Sequence, residues 1–402
     1  MTPDTLLAGP RGRRVLLEFV LLSEEAAAEA RRPAEKLLPL RSAVVKAAHH
    51  LGEQTGMVYM SFSSSAGSGH TDGDDTTDLT DISNGSYGRD YPEVMPPDVV
   101  ARLIRATPLA EPTPDLLDAA LDISVGAAMY WQPPHGEDVL ASSPVVVAAL
   151  KDAAEVVAAS PHVRWWDAPV ASDALDDQWT VSWSDQPGSP ATGISVCPAQ
   201  HRGSNGWWSF PSARPGSAGD TDVKLLSSTR RMSDGSRCVP VGLVLVEDVF
   251  RDEAWVRKLH VPEPTERHDP PVPAATAKIP QSPEITEITG PDDWADLCRR
   301  FPLYVTAAVE REWAETTGLH SPGQRWVMPD WAAISRHYDG VHLTVACHLA
   351  AATRAIFLDD RTASVIAGWD PDRTYWFAPV REDATATRWA RADERRWRST
   401  AS

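Results

Sequence analysis

The sequence predicts an α+β protein with more than one domain: a helical N-terminal region, a β-rich middle region and a small α+β domain towards the C-terminal end. Three observations carry that expectation. Stretches before residue 169 repeat apolar residues at helical spacing, as in RRVLLEFVLLSEEAAAEARRPAEKLLPLRSAVVKAAHHL at 13–51. Short stretches between 170 and 260 alternate instead, as in QWTVSW and WVRKLHV. Residues 261–283 hold seven prolines and read as a semi-stiff linker, because proline fixes φ and removes a backbone donor. With domains of roughly 100–200 residues, a chain of 402 residues accommodates two or three. The expected divisions are 1–169 (helical, with a polar insertion at 61–97), 170–260 (β-rich), 261–283 (linker), 284–380 (α+β) and 381–402 (charged tail).

The first helical stretch breaks at Pro33. VARLIRATPL, TPDLLDAALDISVGAAMYW and SPVVVAALKDAAEVVAAS supply further helices, with Thr113 and Ser143 as N-caps ahead of Pro114 and Pro144. Residues 61–97 are dominated by Ser, Gly, Asp and Thr and read as a surface loop. In the middle region Trp179, Val181 and Trp183 alternate with Thr180 and Ser182, the period of a half-buried strand. VPVGLVLVEDV is continuously apolar, as in a strand buried on both faces. Beyond the linker, DDWADLCRRF reads as a helix with Asp292 as cap, TAAVEREWAET as a second helix and PDWAAISRHY as a third, capped by Asp330. VHLTVACHL alternates like a strand, although 343–355 also admits a helix. TASVIAGWDPDRTYWF reads as two strands joined at Pro371-Asp372. The tail, with six arginines and four acids, reads as a solvated helix or a frayed end.

The formal net charge of −18 should repel phosphate backbones, so nucleic acid is a poor partner. A basic protein or a small cationic ligand fits that charge better. The four cysteines form no CxxC pair and lack zinc-site spacing, which fits a reduced, cytoplasmic setting. Arg11, Arg13 and Arg14 precede VLLEFVLL as in a signal peptide, but Glu18 interrupts the apolar run, so a helix is expected instead. No stretch is long and apolar enough to read as a membrane span. Arginine outnumbers lysine and Ala and Pro are abundant, the coding bias of a GC-rich, bacterial genome.

Standard catalytic signatures are missing from the sequence: GxxxxGK[ST], GxGxxG after a strand, HExxH and GxSxG do not occur. The acidic run Asp72 to Asp81 lacks the Gly and Glu that an EF-hand loop needs. Glu310 and Glu312 form the ExE pair that one class of ADP-ribosyltransferases uses, with SST at 227–229 far upstream. In a helix, positions two apart point to different faces. His49-His50 suits a helix C-terminal end.

The remaining constellation is RWVMPDWAAISRHYDGVH with the residues immediately after it. As a strand, VHLTVACHL would place His342 and His348 on one polar face, with Asp339 able to orient the His342 ring. Asp339, His342 and Tyr338 are the candidate catalytic groups. Trp331, His342, His348, Arg354 and Trp369 are the candidate ligand contacts. No metal site is expected and no cofactor is implied. The sixteen tryptophans, several beside an acid, suit core packing with satisfied indole N–H groups or a pocket for cations. The sequence therefore favours a binding protein with a Trp-rich acidic surface. The alternatives are an enzyme of uncommon type, such as an ADP-ribosyl transferase with its site in the C-terminal domain, and a toxin, antitoxin or defence-locus component.

Overall fold

A computed structural model describes residues 1–29, 39–55, 94–170, 174–185, 189–190, 194–195, 206, 208–213, 223–233, 238–246, 252–261, 283–393 and 396–400. The expected break at Pro33, the acidic run, most of the polar insertion and nearly all of the proline-rich linker lie outside these residues. The fold is α+β. Among the described residues no helix is long and apolar enough to cross a membrane.

The N-terminal layer is built from α1 (Pro3–Ala8), α2 (Pro10–Glu29), α3 (Pro39–Thr55), α4 (Pro97–Ala106), α5 (Pro114–Gly126), α6 (Gly136–Ser142), α7 (Pro144–Ala149) and α8 (Lys151–Ala159). Residues 14–24 of α2 are buried on every face, so α2 is the central helix that its neighbours cover. Proline opens α1 to α5 and α7, at the position where its missing N–H costs nothing. Thr113 and Ser143 stand at the expected N-cap positions, but neither side chain makes the capping bond. Gly136 brings α6 against α3, because a Cβ there would sit 1.8 Å from the Ala48 carbonyl oxygen.

The middle region holds β1 (Trp179–Ser182), β2 (Ser189–Pro190), β3 (Val223–Lys224), β4 (Ser227–Ser228), β5 (Arg231–Ser233), β6 (Cys238–Pro240), a one-turn helix α9 (Val241–Val244) and β7 (Glu253–His260). The C-terminal region runs β8 (Ile285–Ile288), α10 (Pro291–Arg300), β9 (Pro302–Tyr304), α11 (Thr306–Thr317), β10 (Arg325–Pro329), α12 (Trp331–Ile334), β11 (Gly340–Leu343), α13 (Val345–Ala351), β12 (Ile356–Asp359), β13 (Thr362–Ser364) and β14 (Arg373–Trp376). It ends in β15 (Arg381–Glu382), β16 (Thr387–Asp393) and β17 (Arg396–Thr400).

These strands interleave across the linker. One sheet runs β1-β7-β16-β17, with β15 also on β7. A second runs β12-β13-β10-β9. The third runs β4-β14-β11-β8, so a strand from before the linker closes one edge of a C-terminal sheet. In that sheet β11 lies antiparallel to β14 and parallel to β8, with His342 opposite Thr374 and Glu287.

Two large cores share one wall. The first fills the helical layer and includes Val345 and Leu349 of α13. The second fills the C-terminal region and includes Cys347 and Ala351 from the same helix. Gly9, between α1 and α2, lets the helical layer touch α13 backbone to backbone. A Cβ there would lie 2.2 Å from the Leu349 carbonyl oxygen. A third, small core joins Val256 and Trp397 to Trp179, Val181 and Trp183, the alternating face expected of β1.

Several elements differ from expectation. VHLTVACHL is a strand only to Leu343, and then a helix. Thr344 is the pivot: its hydroxyl accepts the Cys347 N–H at 3.1 Å as an N-cap. VPVGLVLVEDV leaves β6 at Pro240 and turns into α9. The tail pairs as β15 to β17 on the first sheet, where Arg388, opposite Trp255, forms an ion pair with Glu253. Asp292 does not cap α10, since Gly290 holds that position; Asp293 instead accepts the Thr289 N–H at 2.9 Å. β13 and β14 belong to different sheets and form no hairpin. Asp330 does cap α12, accepting the Ala333 N–H at 3.0 Å.

Candidate functional site

His342 lies at the centre of β11 and is wholly buried. Its Nδ1 is 2.6 Å from Glu287 and its Nε2 is 3.4 Å from Asp372. Asp372 stands at φ 57, a left-handed conformation that Asp tolerates, and also holds Arg230 through Nε at 2.5 Å and the backbone N–H at 3.0 Å. Glu287 accepts the Val170 N–H, and Arg230 donates to the Ala168 carbonyl. Burial works against the His342 cation, but Asp372 and Glu287 outweigh it and raise the pKa. The imidazole is thus engaged at both nitrogens and clamps three parts of the chain together.

The other sequence-derived candidates scatter. Asp339 does not orient His342; its carboxylate accepts the Glu284 N–H at 2.8 Å, beside the start of β8. Tyr338 accepts a hydrogen bond from Arg300 at 2.7 Å. His348 belongs to α13 and shares no face with His342. Its Nδ1 donates to the Trp369 carbonyl at 3.1 Å, and Nε2 has no partner among the described residues. Burial and the charge of Arg11 hold His348 neutral, with a pKa of about 3. Trp331 and Trp369 are core residues in contact with one another and with Trp294. Their indole N–H groups donate to the Ser209 and Arg373 carbonyls, not to the neighbouring aspartates. Glu310 and Glu312 fall on different faces of α11, one exposed and one buried.

Arg354, among these candidates, lines a cavity. The cavity measures about 330 Å³ and opens between the start of α2, α6, the end of α11 and the turn after α13. That is the lower end of the roughly 300–1,000 Å³ of small-molecule sites. Its lining includes Arg11, Arg13, His135, Asp138, Thr353 and Arg354. Arg11 is buried and ion-paired with buried Asp138. Arg14, behind it, meets Glu18 at 2.8 Å, Asp138 at 3.6 Å and Glu137 at 3.7 Å. Burial opposes the Arg14 charge, but these three carboxylates outweigh it and raise its pKa.

Arg13 and Arg354 have no such partner. Among the described residues, neither has a carboxylate within ion-pairing distance. Instead both donate through Nη1 to one oxygen, the Ala8 carbonyl, at 3.1 and 3.3 Å. Arg13 also donates to the Leu7 carbonyl and the Ser142 hydroxyl. Burial lowers the pKa of both guanidinium groups, and Arg354 lowers that of Arg13 further. The Nε atoms of Arg11, Arg13 and Arg354 are buried without acceptors, and the Thr353 hydroxyl is likewise unpartnered. Thr353 sits at φ 62, a strained conformation for a β-branched residue, in the turn that delivers Arg354.

No known protein family, no curated protein and no solved structure matches this chain. The cavity's uncommitted groups are hydrogen-bond donors and positive charges, which call for an acceptor with negative charge. Burial lowers the His135 pKa, and its Nε2 has no hydrogen-bond partner among the described residues. A larger cavity, about 560 Å³, lies between α5 and the β5–β6 region and carries Asp115, Asp118, Asp122 and Trp397. Those three aspartates already have interaction partners. No group of three or more His, Cys, Asp or Glu among the described residues is placed to hold a metal ion.

Arg11 and Arg13 are visible in the sequence only as a basic start to an apolar helix. The signal that marks them is their place at the positive end of the α2 dipole, where cations are disfavoured. Three arginines there need compensation from elsewhere, and carboxylates compensate only two of them.

Proposed function

We propose that the chain is a binding protein for a small anionic ligand, seated in the arginine-lined cavity between the helical layer and the C-terminal region. One observation carries this reading: Arg13 and Arg354, both half-buried, converge on one carbonyl oxygen with no carboxylate of the described residues at ion-pairing distance. Half-burying two like charges side by side is unfavourable. An anion between them converts that repulsion into charge-assisted hydrogen bonds. The reading keeps the class expected from the sequence, binding before catalysis, and reverses the charge expected of the ligand. The net charge of −18 describes the chain as a whole; the cavity is a local inversion of it.

Thermal unfolding in rising inorganic sulfate or phosphate, with choline chloride as the cationic control, tests the reading. A ligand that binds only the folded state raises the melting temperature by mass action. Both anions raise the stability of any folded protein by exclusion from its surface, so the site-specific part is the excess in the wild type over Arg354→Gln, and that excess is expected for both anions. Stabilisation by choline, or equal anion effects in the variant, would refute it.

A further inference from the structure

We infer that the ligand of this cavity is a phosphate monoester, a compact dianion carried on a small organic body. The inference rests on the anion-binding reading above and narrows it by charge and shape.

The charge comes first. Among the lining residues, Arg11, Arg13 and Arg354 face the single carboxylate of Asp138, which Arg11 already occupies. Arg13 and Arg354 are left without a carboxylate of the described residues at ion-pairing distance, with Asp138 and Asp292 acting on them from further off, and their guanidinium groups meet at the one Ala8 oxygen. They are therefore concentrated in one place. A dicarboxylate spreads its two charges between separate ends. A phosphate monoester gathers about 1.5–2 negative charges and three acceptor oxygens around a single centre at neutral pH.

The donors match that centre. The Arg13 and Arg354 guanidinium groups, which line the cavity and meet at the Ala8 oxygen, present the planar fork of donors that suits phosphate oxygens. The shape adds the organic body. The cavity is much larger than a bare oxyanion, and Pro10, Ala127, Met129, Pro134 and Val139 give it an apolar wall. The chain, at −18 overall, disfavours a polyanion and so favours a small free molecule over a phosphorylated macromolecule.

Isothermal titration of the full chain with glycerol 3-phosphate, malonate and dimethyl phosphate at about pH 8, where the monoester is dianionic, separates the possibilities. Glycerol 3-phosphate is expected to bind at least about tenfold more tightly than either competitor, the scale of one charge-assisted hydrogen bond. Arg354→Gln and Arg13→Gln are each expected to remove that preference. Malonate binding as tightly would overturn the single-centre argument, and dimethyl phosphate binding as tightly would overturn the dianion argument. Either result leaves the anion site itself standing. If none of the three binds, and sulfate and inorganic phosphate stabilise the wild type no more than Arg354→Gln, both readings fall together.

Discussion

At the scale of single residues, the sequence marks His342 for chemistry, and the structure gives it a different task. The ring is held between Glu287 and Asp372, and those carboxylates reach onward to Val170 and Arg230. Because the folded state raises its pKa, His342 adds stability that is fully present below about pH 6.5, the unfolded value. That contribution is lost as pH rises through the folded value. His342→Gln should therefore destabilise the protein most in mild acid, by about 3–5 kcal/mol, because the two carboxylates lose their shared cation. The margin should shrink towards pH 9. Urea unfolding of both proteins at about pH 6 and pH 9 measures it, and an equal margin at the two pH values would show that the ring contributes only shape.

At the scale of elements, α13 decides much of the architecture, and it is where the sequence is least readable. VACHLAA has no polar face, so neither a period of two nor one of 3.6 stands out; all seven residues are buried. The deciding signal is local. Thr344 caps the helix, and a Thr ahead of an apolar run is weak information without the tertiary setting that buries both sides of it. The long N-terminal helices and the alternating β1 and β7 are legible because their apolar residues recur at a regular period. The tail misleads for the opposite reason: Arg388 pairs with an acid on β7, and an apparently solvated segment becomes strands. Close approach of α13 to the helical layer depends on Gly9, which sits at φ −107 and is needed for space, not for its backbone freedom. Gly9→Ala should destabilise by about 1–3 kcal/mol, since the clash is with main-chain atoms that cannot rotate away. It should also weaken anion binding, because Ala8 and Arg354 lie on the two sides of that contact. Chemical denaturation and anion titration of the variant check both, and a wild-type result in each would mean that α13 shifts without cost.

At the scale of the whole molecule, the proline-rich segment suggests independent units, yet the described residues tie the regions together across it. β4 completes a C-terminal sheet, β16 and β17 return to the sheet of β7, and α13 contributes to two cores at once. The arginine cavity belongs to this same junction, which is why the sequence could name Arg354 but not its neighbours: Arg11 and Arg13 come from some 340 residues away, through contacts that no local pattern records. A shared wall predicts that the two regions unfold together. Two buried cysteines can report on it. Cys347 lies in α13 at the junction, and Cys298 lies in α10 inside the C-terminal core. Burial raises both thiol pKa values, Cys298 to about 12, so neither offers a thiolate while folded. Cys238 is exposed. Iodoacetamide should therefore label Cys238 in the native protein and leave Cys298 and Cys347 untouched. In increasing urea these two should become reactive over the same narrow range, as read by peptide mass spectrometry. Earlier labelling of Cys347 would mean that the helical layer lifts from α13 while the C-terminal core persists, and the cavity between them would then be a joint that opens.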